Sequence, residues 1–326
     1  MSIPPWTRRV ARAFVPVLFL SGGRLAGQEA AEPYLQSVRA NAVRVRAGAA
    51  TGFGFIVGLG ERTLLIATAE HTLDNANGPP QVCFMERPDP CAEGKVVYVD
   101  DPRAPGDPDL DLALIEVGYP DRLPWRPDVM GAAPMTGQPA WFIGRNEEWY
   151  VPPVPGRIVA SDPRAGSVRY TGLSVAQGVS GAPILVPGGI VGMHRESAGD
   201  DASEGVLLSV IRNRVEERLG RQWILVPRRA CGAQGAQAGI LANRWVIVRF
   251  SWRRAAPAME AMARLRCAGA LPLPSPLWES AGGEREIVYR NGDLRSARLL
   301  QTLLTPLGRI ETRIGTPEGE LEIVLP

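Results

Sequence analysis

"QGVSGAPILVPGGIVGMH", residues 177–194, sets Ser180 between two glycines and follows it with two short apolar runs broken by Pro-Gly-Gly. Short β-branched and apolar runs bounded by Gly and Pro read as strands. Gly-x-Ser-Gly is then either the turn that presents a reactive hydroxyl or an ordinary tight turn between strands. The same rhythm extends outward over residues 33–220, through "AVRVR", "FGFIVG", "TLLIAT", "KVVYV", "LALIEV", "AWFIG", "GRIVA", "SVRYTG", "APILV" and "GIVGM". Helical periodicity enters only at "LLSVIRNRVEERLG", residues 207–220, where Val210, Ile211, Val215 and Leu219 share a face. Ten or more short strands closed by one helix predict a mainly β protein built of barrels, not a βαβ sheet.

A serine hydroxyl is a poor nucleophile unless a base lies within hydrogen-bond reach and a third group orients that base. The chain contains two histidines, His71 and His194. A base at His194 would follow the serine too closely to leave room for an α/β-hydrolase order of serine, acid and histidine. A base at His71 gives the order histidine, acid, serine, with the acid supplied by "DPDLDLALIEV", residues 107–117. Each residue also has a plain structural reading: a half-buried histidine, solvated loop carboxylates, a turn serine. A calcium loop over 107–118 is a poor fit, since Leu112 stands where such a loop needs Gly.

Three blocks, "GFGFIVGLGERTLLIATAEHTL" (52–73), "DLDLALIEV" (109–117) and "QGVSGAPILVPGGIVGMH" (177–194), resemble the signature blocks of the trypsin-like, chymotrypsin-fold serine peptidases. The bacterial Do-like branch is the most similar. The resemblance implies two antiparallel six-stranded β-barrels over residues 33–220, with His71 as general base, Asp111 as its orienting carboxylate and Ser180 as nucleophile. Asp111 is preferred to Asp109 because it directly precedes Leu112-Ala113-Leu114. The same resemblance implies an oxyanion hole from the backbone N–H groups of Gly178 and Ser180, and a substrate pocket at Ser174, Val191, Gly192, Met193, His194 and Gly205. His194 either narrows that pocket or faces solvent. With no acid at the pocket positions, a small or medium apolar side chain is the expected preference over Arg or Lys. Glu70, Val179 and Ala182 depart from the family pattern, and Glu70, beside the base, either raises the histidine's pKa or points to solvent without effect. The expected partners are protein or peptide substrates, and the chemistry calls for no cofactor and no metal.

Composition agrees with an exported globular protein. A formal net charge of +2 and arginines scattered among acids leave no basic stripe for a phosphate backbone, which argues against nucleic-acid binding. Arg8, Arg9 and Arg12 precede an uncharged run from Ala13 to Gly23, and small residues follow at Ala26 and Gly27. That is the layout of a signal peptide over residues 1–30, shorter than a bilayer span and interrupted by Pro16. The mature chain is therefore expected to be secreted or periplasmic. Four cysteines fit that compartment: local pairing of Cys83 with Cys91 and of Cys231 with Cys267 is the simplest of three connectivities. Such loops stabilise by about 2.5 and 4 kcal/mol on chain-entropy grounds. Zinc is disfavoured by the absence of C-x-x-C spacing.

Residues 221–326 read as a separate small α+β domain. "RWVIVRF" alternates as a strand, and "APAMEAMARLRCAG" lines Met259, Met262 and Leu265 along a helix face. "ALPLPSPLWESAGG" reads as a Pro-rich loop. The tail reads strand, helix, strand, strand, with Asp293 as N-cap and Gly308 closing the helix. No catalytic cluster and no PDZ-like carboxylate-binding loop appears there. This domain is the expected site of any envelope or protein partner. The alternative to an enzyme is a catalytically silent two-barrel module that binds peptides or scaffolds an assembly.

Overall fold

The computed structural model describes residue 35 and residues 38–325, except 61, 75–77, 86, 101–109, 119–129, 174, 176–177, 198–201, 226–237, 242–243, 269, 278–284, 291, 316 and 318–320. The expected signal peptide therefore lies outside the described residues. Among them, no helix is long and apolar enough to cross a membrane.

The first barrel is made of β1 (Ala42–Ala47), β2 (Ala50–Leu59), β3 (Thr63–Ala69), β4 (Gln81–Phe84), β5 (Arg87–Val99) and β6 (Leu112–Gly118). Its order is β1-β4-β5-β6-β3-β2, and antiparallel pairing of β1 with β2 closes it. The second consists of β7 (Pro139–Phe142), β8 (Gly156–Asp162), β9 (Ser167–Thr171), β10 (Pro183–Val186), β11 (Gly189–Ser197) and β12 (Ala202–Leu207). It closes in the order β10-β11-β12-β9-β8-β7, the same topology repeated. Closure leaves neither barrel an unpaired edge.

Two of these strands, β4 and β12, are not visible in the apolar pattern. "QVCF" is only four residues, and "ASEGVL" carries Ser, Glu and Gly where a strand former is expected. Phe84 at the end of β4 pairs with Arg87 at the start of β5, and the Cys83–Cys91 disulfide bridges the two arms of this hairpin.

After β12 the chain forms α1 (Leu208–Asn213), which continues as a π-helical turn over Arg214–Arg218. Ile211 and Val215 of the expected apolar face are fully buried. Arg214 is buried too, and its Nε lies 3.2 Å from Asp100 Oδ1 at the end of β5, tying the closing helix to the first barrel. The chain then returns to that barrel: β13 (Gln222–Trp223) adds antiparallel to β2 opposite Leu59 and Gly58. Trp223, Ile224 and Leu225 are buried in one apolar core that runs from the first barrel into the C-terminal unit. The second barrel is filled by its own cluster around Phe142, Ile158, Tyr170 and Ile184.

Among the described residues, the C-terminal unit is a five-stranded mixed sheet with two longer helices, preceded by a single helical turn over Ala238–Leu241. Its elements are β14 (Trp245–Ser251), α2 (Ala255–Cys267), β15 (Leu271–Leu277), β16 (Glu286–Tyr289), α3 (Leu294–Leu304), β17 (Glu311–Ile314) and β18 (Leu321–Leu325), with strand order β15-β14-β18-β16-β17. Cys267 is disulfide-bonded, and Cys231 lies outside the described residues.

Two local expectations are corrected here. The Pro-rich stretch contains an edge strand, β15, parallel to β14. Prolines at 272, 274 and 276 alternate, so every missing N–H falls on the outer side while the intervening residues supply the donors facing β14. Asp293 stands before α3 but makes no side-chain cap bond, because its carboxylate takes Arg244 Nη1 at 2.8 Å instead. That partner holds the Asp293 carboxyl below its ordinary pKa. Gly308, at φ 109°, ends the helical segment as read.

Candidate active site

The antiparallel register of β3 and β6 pairs Ala69 with Leu112, which brings the residues just past each strand end face to face. The Glu70 N–H donates to the Asp111 carbonyl at 3.0 Å. One turn of 3-10 helix over Glu70–Thr72 then swings His71 across the Asp111 carboxylate. That carboxylate grips the histidine twice. Oδ1 accepts the His71 backbone N–H at 2.9 Å, and Oδ2 lies 2.6 Å from Nδ1. Asp111 holds this pose with φ at 54°, a left-handed backbone that Asp tolerates better than most residues. Nδ1 is thereby occupied and Nε2 is left for chemistry.

The Asp111 hydrogen bond is the largest influence on His71 and raises its pKa above the ordinary 6.5. Partial burial opposes this, while Asp111, Asp74 and Glu196 add to it through their charge. His71 remains accessible, its side chain 46% exposed against 18% for Asp111. The site thus has a solvent-facing imidazole backed by a shielded acid.

Ser180 comes from the second barrel, in the turn before β10, and is stapled in place from both sides. Its carbonyl accepts the Phe53 N–H of β2 at 2.7 Å, the Gly181 N–H donates to the His194 carbonyl at 2.9 Å, and the His194 N–H donates to the Ala182 carbonyl at 2.8 Å. A Cβ placed on Gly52 would lie 2.8 Å from both the Ser180 carbonyl oxygen and Thr72 Oγ1, so the serine turn abuts the residue following His71. Gly181 is required twice over: its φ is 81°, and a Cβ there would collide with the Phe53 carbonyl and with Thr68 of β3. Among the described residues, the N–H groups of Gly178 and Ser180 have no intramolecular acceptor.

Histidine and acid thus come from one six-stranded closed barrel and the serine from the second. The fold is that of chymotrypsin. No family model and no curated protein matches the chain. Among solved structures it is similar to a serine endoprotease from Yersinia pestis, at 20% identity over 60% of this chain and 68% of that one, with a TM-score of 0.46. It is also similar to the Rv3671c protease in an inactive form, at 20% identity over 57% of this chain and 92% of that one, with a TM-score of 0.42.

The pocket residues divide. Ser174 lies outside the described residues. Val191 and Met193 are fully buried, Val191 in the second barrel's core and Met193 in the core shared with the first, so they can face a substrate only through their backbone. Gly192 and Gly205 sit where a Cβ would strike the neighbouring strand.

His194 does not face solvent. It is 2% exposed, with Nδ1 2.6 Å from the Tyr170 hydroxyl, and Tyr170 is also hydrogen-bonded to Ser203. Tyr170 lies on β9, opposite Ser203 of β12, while His194 on β11 pairs with Gly205. No sequence spacing signals that trio, because it forms across three strands.

Burial pushes His194 down to about 4, with the charge of nearby His71 lowering it further and that of Asp111 raising it. An unfolded chain protonates this imidazole near 6.5. The stability gained by keeping it neutral is therefore complete above pH 6.5 and is lost as pH falls towards 4, by about 3 kcal/mol in all. Urea unfolding at pH 7.5 and 4.5 should show a smaller acid loss for His194→Gln than for the wild type. Equal losses would place the acid lability elsewhere.

Proposed function

We propose that the protein is an exported serine endopeptidase of the trypsin-like kind, acting through His71, Asp111 and Ser180. The observation that carries this reading is the double grip of Asp111 on His71, at 2.6 and 2.9 Å, next to a serine turn clamped from the opposite barrel. A carboxylate that fixes both the main chain and Nδ1 of a half-exposed histidine selects the tautomer whose Nε2 accepts a proton. A purely structural ion pair has no need of the second, exposed nitrogen.

In the proposed cycle, His71 Nε2 takes the proton from Ser180 Oγ as that oxygen attacks a peptide carbonyl. The Gly178 and Ser180 N–H groups stabilise the oxyanion, each such donor typically accelerating turnover by ~100-fold or more. The C–N bond breaks as His71 returns the proton to the departing amine. Water, deprotonated by the same imidazole, then releases the acyl group. The substrate class is protein or peptide, with a small or medium apolar residue before the scissile bond. The C-terminal unit is the proposed docking site for an envelope or protein partner.

The test is a fluorophosphonate probe on the folded protein, followed by peptide mapping of the adduct. Covalent labelling confined to Ser180 is the expected result. A folded protein that takes up no probe would instead be a silent two-barrel module.

A further inference from the structure

The β7–β8 connection folds back as a two-residue hairpin in which Arg145 and Glu148 exchange backbone hydrogen bonds, each at 2.9 Å. Both central residues are left-handed, Asn146 at φ 49° and Glu147 at φ 66°. Such a turn favours Asn at the first of these positions and Gly at the second. Asn146 conforms. Glu147 does not, and a long side chain held at positive φ needs a compensating contact.

The contact comes from the other barrel. Arg46 Nη2 of β1 lies 2.9 Å from Glu147 Oε2, and Arg44 Nη1 lies 3.7 Å from the same oxygen while donating to the Glu147 carbonyl at 3.0 Å. Arg44 also stacks 5.3 Å from the centre of the Trp149 ring, whose Nε1–H donates to the Ala42 carbonyl at 2.8 Å. One strand of the first barrel therefore grips the tip of this turn at Glu147 and its second arm at Trp149.

What the turn supports is Gly178. A Cβ on Gly178 would lie 3.9 Å from the Asn146 backbone nitrogen and 3.7 Å from the Thr51 carbonyl oxygen, so the turn and the start of β2 both stand at contact distance over the side-chain face of this glycine. With φ at 78° and no side chain of its own, Gly178 depends on such backbone neighbours for its placement.

We infer that Glu147 is a positioning residue: its ion pairs with Arg44 and Arg46 hold the 145–148 turn across the barrel boundary and so fix the direction of the Gly178 N–H. The inference rests on the peptidase reading, because it assigns the turn to the oxyanion donor. It accounts for a Glu at a position where Gly would be easier for the backbone. A misplacement of about 1 Å in a catalytic group lowers rate by up to a hundredfold without abolishing binding.

The experiment measures saturation kinetics of fluorophosphonate labelling, with melting temperature in parallel, on the full chain and on Glu147→Gly, Arg46→Gln and Arg46→Lys. Glu147→Gly relieves the backbone while cutting the latch. It should melt no lower than the wild type yet label about ten- to thirtyfold more slowly at saturating probe, with half-saturation unchanged. Arg46→Gln should follow it and Arg46→Lys should restore most of the rate. Glu147 is 52% exposed and Arg46 39%, so about 1 M salt should slow the wild type but leave Glu147→Gly unaffected. Labelling of both Glu147→Gly and Arg46→Gln within twofold of the wild type would overturn the latch and leave the peptidase intact. A folded wild type that does not label overturns the peptidase reading and the latch with it. Should Glu147→Gly lose its melting transition, Arg46→Gln decides alone by the same criterion.

Discussion

Replacing Ser180 by Ala should remove all fluorophosphonate labelling and lower peptide hydrolysis by about a millionfold, the scale seen when a triad nucleophile is deleted. The substitution is mild for the fold. It removes one oxygen from a half-exposed side chain and leaves every backbone bond of the turn to Phe53, His194 and Ala182 in place. Unchanged melting with lost turnover would tie the loss to chemistry. Hydrolysis that persists in Ser180→Ala above a mock preparation would mean that another group attacks the substrate.

Asp111→Asn should lower kcat/KM by about ten-thousandfold, whereas Asp109→Asn should stay within about twofold. An amide can still accept the His71 backbone N–H, but its NH2 facing Nδ1 would favour the tautomer with the proton on Nε2, the wrong one for a base. The pH profile supplies a second readout. His71 must be neutral to act, so the wild-type rate should rise with pH through a value above 6.5, the direction in which Asp111 moves it. Removing that carboxylate takes away the largest raising influence, so the residual activity of Asp111→Asn should rise at lower pH than in the wild type. Equal rate losses in the two Asp variants would mean that the orienting acid is not Asp111.

The candidate site was readable where its parts are local. His71 sits two residues past the end of β3 and Asp111 one before β6, so each carries an apolar strand beside it as a marker. Ser180 is marked by Gly181, which its turn needs for close approach to Phe53, and by Gly178 with its left-handed φ of 78°. What escaped was set by register and by neighbours distant in the chain. Tyr170 meets His194 because β9 and β11 flank β12, which no spacing encodes. Glu147 meets Arg46 across 101 residues. His194 could not be assigned inside or outside until the second barrel closed over it.

The fold shows the same division. Strands that fill a barrel announce themselves, as β2 does with Phe53, Phe55, Ile56 and Val57 all buried. Strands recruited by their neighbours do not: β4 is only four residues long, and β12 takes its place from pairing with β9 and β11. In the C-terminal unit β15 defeats composition altogether. Proline content argues for a loop unless it is known that β14 stands on one side only.

The alternating prolines of β15 have a further effect on how copies of this protein meet one another. From 272 to 276 the outward rim of the sheet offers carbonyl acceptors and no amide donors, so an incoming chain cannot zip onto it in either direction. At high concentration, self-association by continuous β-sheet growth is blocked along that rim, and a single exchange such as Pro274→Val would begin to reopen it.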